Sequence, residues 1–431
     1  MLSKPRSPNL KKISVQQVRL GMYLHGLEGS WLSHPFWKSK FVIDDPADLA
    51  ALRGSSIAGV WIDVERGLDV ADEVPAMAPE PPAPDPGECP ESEAGFEATM
   101  PAALYAPADP VPSREPVPAG EEMANAAKLV ERSKQAVVRM FGEARLGRAV
   151  DADECLPLVA DITDSVVRNP SALISLARLK TKDDYTYMHS VAVCALMVAL
   201  ARQMGLDEAQ TREAGLAGLL HDIGKMAMPM DVLNKPGALT DAEFAVMRSH
   251  PMRGYEMLKE GGSVPASALD VCLHHHEKMD GTGYPNKLAG EQITVLARMG
   301  AVCDVYDAIT SNRPYKTAWD AAGSIQRMAQ WQGHFDPVIF KAFVMSVGIY
   351  PVGTLVRLNS GRLGVVTDQN AGSLVAPKVR IFFSSKSKMP IPVQVLDLAD
   401  PAIDDKIVSR ESPQDWGFSH IDELWSKPDV R

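Results

Sequence analysis

Cysteine is scarce and scattered in this chain. Its five cysteines, Cys89, Cys155, Cys194, Cys272 and Cys303, are odd in number and form no C-x-x-C pair, so neither a disulfide framework nor a thiolate zinc site is indicated. Reduced thiols are expected. Positive charge is also short. With 44 Lys and Arg against 55 Asp and Glu, the formal net charge is −11, which removes the general attraction that binders of DNA, RNA or anionic membranes depend on. Any anionic ligand must be held by a local site. No apolar run reaches the roughly 18 residues of a bilayer span, and the basic start MLSKPRSPNLKKISV lacks the apolar stretch of a secretory signal. A cytoplasmic protein without a membrane span is expected. Repeats at 20 to 50 residue spacing are absent too, so a solenoid is not indicated.

What remains is a chain of 431 residues, 45% hydrophobic and 23% charged, enough for two to four domains with ordinary cores. Residues 1–72 alternate short runs rich in Val, Ile, Trp and Phe with one polar helical piece, DPADLAALRGS, and read as a small α+β or mostly β domain of regulatory or accessory role. Residues 73–120 are Pro, Ala and Glu rich; 13 of the 33 prolines fall between 71 and 120. Such a stretch buries too little apolar surface to offset ordering, so a flexible linker is expected.

Residues 121–350 carry apolar residues at three- and four-residue spacing almost throughout, as in YMHSVAVCALMVALARQMG and ITVLARMGAVCDVYDAI, which predicts an all-α domain. Thr240 with Glu243 reads as a capping box, and Asp336 before Pro337 as an N-cap with an N1 proline. Residues 351–400 alternate with Asn, Gly and Ser turns and predict a small β-meander. Residues 401–431 form a C-terminal tail.

Six of the ten histidines, His189, His221, His250, His274, His275 and His276, lie in the 88 residues from 189 to 276. His221 and Asp222 end the apolar helix GLAGLL, where an imidazole and a carboxylate are costly unless paired or coordinating a cation. His189 sits in the middle of another apolar helix. His250 is expected to close the helix TDAEFAVMRSH, ahead of Pro251. Asp304 lies in a third apolar helix. Together they would bring imidazole and carboxylate groups from several helices to one point. Nitrogen and oxygen ligands suit Mn, Fe, Co, Ni or Zn, and a bridging carboxylate can hold two cations about 3.5 to 4 Å apart. Phosphodiester hydrolysis is the chemistry that best fits such a pair.

HDIGK at 221–225, HHEKMDGTGYP at 275–285 and DVYDAITSNRPYK at 304–316 resemble the signature of HD-GYP domains, a branch of the metal-dependent HD phosphohydrolases. The resemblance implies a central HD-type helical bundle within a multidomain chain. It further implies hydrolysis of cyclic di-GMP to pGpG, and in many members onward to GMP, through a metal-bridging hydroxide. The implied ligands are His189, His221, Asp222, His250, His275, His276 and Asp304, with Asp222 bridging two divalent transition metal ions, Fe or Mn. Lys225 would reach a phosphate oxygen if the helix persists past the HD pair. Arg313 and Lys316 match family positions that grip the second phosphate and guanine; otherwise they are solvated loop charges.

Gly281 and Gly283 permit positive φ and close backbone approach, and Gly283 and Tyr284 would line the substrate site, Tyr284 offering a ring face to a purine. An ordinary turn and a structural tyrosine are the plain alternatives. His274 has no counterpart role and is read as a supporting or exposed residue. Some members hold a third metal through a Glu four residues before the first histidine. Here Tyr185 stands at that position, and a phenol with a pKa of about 10 is a poor ligand. Two metals are therefore expected, three only if Asp183 or Asp184 reaches in.

The N-terminal segment, through LGMYLHGLEGSWLSHPFWKSKF and VWIDVERGLDV, resembles a domain of unsettled function often found ahead of HD-GYP domains. His25, Trp31 and His34 there read more simply as core than as a ligand site. The expected partners are cyclic di-GMP and proteins meeting the GYP face or the N-terminal domain; a homodimer is left open. The rival reading is a receptor or scaffold with little turnover, and a third is an enzyme acting on another cyclic dinucleotide.

Overall fold

The structure, a computed structural model, describes residues 10–27, 41–44, 46–53, 59–68, 114–179, 185–235, 237–311, 319–370 and 372–426. Most of the expected linker at 73–120 lies outside the described residues, as do Trp31 and His34. The chain divides into two compact units, Met1–Val111 and Pro112–Arg431.

In the first unit, strands β1 (Leu10–Ser14), β2 (Tyr23–Leu27), β3 (Phe41–Val42) and β4 (Gly59–Asp63) accompany helix α1 (Pro46–Arg53). The sheet order is β1-β4-β2-β3, antiparallel throughout. Period-two alternation explains its core: Val60 and Ile62 are buried on one face of β4 while Trp61 between them is half-exposed, and Ile13 and Leu24 join them from the neighbouring strands.

The second unit begins with long helix α2 (Ala119–Arg145), then α3 (Leu156–Arg168), α4 (Pro170–Arg178), α5 (Tyr185–Gln203) and α6 (Glu208–Leu220). Shorter helices follow: α7 (Met230–Leu233), α8 (Asp241–Met247), α9 (His250–Gly261) and α10 (Ala266–His274). Then come α11 (Val295–Thr310), α12 (Ala321–Met328) and α13 (Pro337–Val347). Both expected caps are present, with Thr240 reciprocating with Glu243 and Asp336 accepting from Val338 and Ile339 N–H.

Helix α5 is the centre of this unit, packed against α6, α4, α11, α13 and α2. By length and composition α5 could cross a bilayer, but most of it is buried inside this unit. Its burial along most of its length explains the apolarity, because a helix surrounded by others needs no polar face.

Strands β5 (Leu355–Leu358), β6 (Arg362–Asn370), β7 (Ser373–Ser384), β8 (Met389–Asp397) and β9 (Ile407–Arg410) close the chain with helix α14 (Glu423–Ser426). β5 to β8 form a meander, and β9 returns antiparallel to β5, giving the order β8-β7-β6-β5-β9. Leu355, Val356, Leu363 and Val365 share one hydrophobic core with α5. Polar ties accompany that burial: Asp368 accepts from Ala119 N–H (3.3 Å), and Arg178 Nη1 donates to the Val352 carbonyl (3.3 Å).

Candidate metal centre

Helix α6 is capped by Asp207, which exchanges hydrogen bonds with Gln210, and its Gly218 lies against α5. A Cβ on Gly218 would stand 2.9 Å from the Val193 carbonyl oxygen and 3.0 Å from Cys194 Cα. The missing side chain therefore lets the two backbones approach. One turn later, on the same face, His221 caps α6 and its Nε2 lies 3.3 Å from His189 Nε2 on α5.

The helix does not persist through the HD motif. α6 ends at Leu220, and Ile223–Ala227 is a 3-10 turn. Residues three apart eclipse in that geometry, so Lys225 sits over Asp222 and its ammonium donates to Asp222 Oδ2. His250 likewise opens α9 rather than closing α8, which ends at Met247. Pro251 is tolerated there because a first-turn N–H has no intrahelical partner.

Two groups of donor atoms result, His189, His221, Asp222 and Asp304 in one and His250, His275 and His276 in the other. Asp222 faces both. Its Oδ2 is 3.3 Å from His189 Nε2 and 3.4 Å from His221 Nε2, while its Oδ1 is 3.2 Å from His250 Nε2 and 3.8 Å from His275 Nε2. Asp304 Oδ1 is 2.9 Å from His189 Nε2, and its Oδ2 is 3.7 Å from His276 Nδ1. All seven residues expected as ligands are brought together.

Four of these rings have Nδ1 committed elsewhere. His221 Nδ1 donates to the Gly218 carbonyl (2.8 Å), His250 Nδ1 to the Met247 carbonyl (2.8 Å) and His275 Nδ1 to the Val271 carbonyl (3.0 Å). His189 Nδ1 donates to Asp307 Oδ2 at 2.6 Å. A carbonyl can only accept, so the proton belongs on Nδ1 and the Nε2 lone pair faces the cluster.

The arrangement fits divalent cations. Nε2 atoms meet in pairs, His189 with His221 at 3.3 Å and His250 with His275 at 3.4 Å, contacts that repel unless positive charge lies between them. Asp222 Oδ1 is buried with no hydrogen-bond donor, a costly condition for a carboxylate oxygen without a cation. Without a cation the carboxylates would draw protons onto two of these rings, protons that a bound metal must displace. Burial would lower the His221 pKa, but the charges and hydrogen bonds of Asp222 and Asp304 raise it to about 10. Burial likewise opposes protonation of His189, yet Asp222, Asp304 and Asp307 push its pKa up. Burial and neighbouring imidazoles hold His275 well below its ordinary value, and burial takes His276 down to about 3, leaving both as neutral donors.

The loop after the double histidine is organised by Glu277, which gave no signal in the sequence, and by His274, expected as a supporting or exposed residue. Buried Glu277 accepts from Asn286 N–H (2.6 Å) and Leu288 N–H (3.1 Å), folding the loop back on itself. His274, bonded to Asp270 (2.7 Å) and facing Asn286 Nδ2 (3.0 Å), ties the same loop to α10. Gly281 takes a positive φ of 77°. Gly283 serves close approach instead, since a Cβ there would lie 2.5 Å from Glu277 Cα and Lys278 N. The Tyr284 ring stacks on His276 (centroids 4.7 Å apart) and carries the Arg248 guanidinium 4.6 Å from its centroid, so it is engaged by protein groups.

Tyr185 stacks on His189, with ring centroids 5.7 Å apart. Asp183, Asp184, Arg313 and Lys316 lie outside the described residues. Asp307 is the further site residue that sequence reasoning missed. Its signal was present, since Asp304 and Asp307 are three apart on one face of α11.

Comparison with known proteins gives a consistent result. Residues 163–339 match the HD domain family, and residues 10–155 match a family described as a domain of unknown function, DUF3391. The chain is 55% identical over 418 residues to cyclic di-GMP phosphodiesterase PA4108 of Pseudomonas aeruginosa, covering 97% of this chain and 96% of that protein. It is 40% identical to the cyclic di-GMP phosphodiesterase response regulator RpfG of Xanthomonas campestris pv. campestris, over 42% of this chain and 48% of that one. A 3'3'-cGAMP-specific phosphodiesterase 2 of Vibrio cholerae is 33% identical over 43% of this chain and 35% of its own length.

Proposed function

The chain belongs to the HD-GYP branch of the HD phosphohydrolases, and from that premise we infer that it is a metal-dependent phosphodiesterase that hydrolyses cyclic di-GMP. The observation that carries this reading is the position of Asp222, one carboxylate oxygen turned to each group of donors. His189, His221, Asp222 and Asp304 would hold one divalent cation, and His250, His275, His276 and the other oxygen of Asp222 a second. Bound there, the cations would supply Lewis-acid charge that activates water and offsets the charge developing on phosphorus.

The protein's own part is positioning. Asp307 keeps His189 in one tautomer, and backbone carbonyls do the same for His221, His250 and His275. Water adds to one phosphorus, the P–O3' bond breaks, and the leaving oxygen takes a proton. The product is linear pGpG, and a second round on the remaining diester yields GMP. Lys225, paired with Asp222, is placed to follow charge at the bridge. Arg313 and Lys316 are proposed phosphate and guanine contacts, and Gly283 and Tyr284 shape the loop beside the substrate.

Two divalent cations fit the two groups of nitrogen and oxygen donors, Fe or Mn by resemblance to the family, and the phenol of Tyr185 is a poor ligand for a third. Full-length protein reconstituted anaerobically with Mn(II) or Fe(II) is expected to convert cyclic di-GMP to pGpG, and Asp222→Ala to abolish conversion. Tight binding of intact dinucleotide with every metal tried would favour the receptor reading instead.

A further inference from the structure

Arg248 follows α8, two residues before His250, and is partly exposed. Its guanidinium lies over the Tyr284 ring at 4.6 Å and beside Phe244 at 5.9 Å. Tyr284 in turn stacks on His276, one of the clustered donors. Arg248 is thus separated from the candidate centre by a single aromatic ring. Among the described residues no carboxylate forms an ion pair with it, whereas the Lys225 ammonium is taken up by Asp222.

A guanidinium presents N–H groups in a planar fork, and a cation–π contact such as that with Tyr284 does not use up those donors. The group that must come to rest beside His276 during the reaction is a phosphodiester, anionic and bidentate in its acceptors. We propose that Arg248 is a substrate-binding residue that grips a phosphate of the cyclic dinucleotide, with Tyr284 serving as the platform that holds the guanidinium near His276. The proposal rests on the phosphodiesterase reading above. It assigns Tyr284 a positioning role, through Arg248 and His276.

The contact is made in the ground state and the transition state alike, so its loss acts on KM rather than kcat. The test is steady-state kinetics of full-length wild type, Arg248→Lys and Arg248→Gln on cyclic di-GMP and on 3'3'-cGAMP, with metal content measured for each. Arg248→Gln is expected to raise KM by roughly 10-fold or more, equally for both dinucleotides, with kcat little changed, as loss of a charged hydrogen bond implies. Arg248→Lys should recover part of the loss, and metal content should match wild type.

An unchanged KM overturns the proposal. So does a rise much larger for cyclic di-GMP than for 3'3'-cGAMP, which would place Arg248 on a guanine edge, and so does a fall in bound metal, which would make its role structural. Wild type turned over in the same assay separates the two readings: if it is inactive on both dinucleotides, the phosphodiesterase reading fails first.

Discussion

His189 on α5 and Asp307 on α11 are joined by a 2.6 Å hydrogen bond from Nδ1 to Oδ2, and the orientation of His189 toward Asp222 and Asp304 depends on it. Asp307 is itself buried and receives Ser311 Oγ–H at 3.3 Å. Asp307→Ala should lower metal affinity by about 10- to 100-fold, the usual effect of removing such a support. Asp307→Asn, whose amide oxygen still accepts, should cost less. Competition for Mn(II) against a chelator of known affinity measures both.

Because the cations would bind the folded chain and not the unfolded one, their removal lowers stability. At a free metal concentration of 100 times Kd the difference is about 2.7 kcal/mol per site. At roughly 2–4 °C per kcal/mol for a large unit, that corresponds to a Tm change of about 5–10 °C per site. Thermal unfolding with and without chelator should show this shift in wild type and lose most of it in Asp222→Ala.

Gly283 packs where a Cβ would meet backbone atoms of Glu277 and Lys278 at 2.5 Å, and backbone cannot step aside as a flexible side chain does. Gly283→Ala should destabilise by about 1–3 kcal/mol and raise KM by displacing Tyr284 and Arg248. Urea unfolding and steady-state kinetics on the same preparation report the two effects.

His334 stacks between Trp331 and Phe335. Burial, helped by Lys278, lowers its pKa from 6.5 to about 4. The folded value lies below the unfolded one, so falling pH protonates the unfolded chain first. The stability that His334 confers is complete above pH 6.5 and is lost as pH falls toward 4. His334→Gln should therefore lose less stability than wild type across that window. The difference should stay under the roughly 1.4 kcal/mol per pH unit of one whole proton, because the ring is partly solvated. Unfolding free energies at pH 7, 6 and 5 decide it.

His189, His221, Asp222 and Asp304 were legible in the sequence because they stand on helices that are otherwise apolar, where burial without a partner is too costly to be incidental, whereas His275 and His276 came only through the resemblance. What sequence could not supply was local geometry. Lys225 reaches Asp222 through a 3-10 turn where a continued α-helix was expected, and both forms satisfy the same three-residue spacing. His250 begins a helix because Pro251 suits a first turn as well as it suits a break. Arg248 gave no signal at all, since its neighbour Tyr284 is 36 positions away in sequence.

The same holds for the C-terminal strands. Alternation of apolar residues predicts strands from Leu355 onward, but not that Val356 and Val365 share a core with α5, because a pattern names a buried face without naming what covers it. Asp307 is the converse case. Its spacing from Asp304 was visible, yet only the 2.6 Å bond to His189 distinguishes it from an ordinary helix carboxylate.

The central claim is that Asp222 joins two cation sites into one centre. Anaerobic titration of the full-length protein with Mn(II), followed by electron paramagnetic resonance, tests it most directly. The account predicts two ions per chain with the spectrum of a magnetically coupled pair. Saturation at a single ion, or two ions with independent spectra, would contradict it.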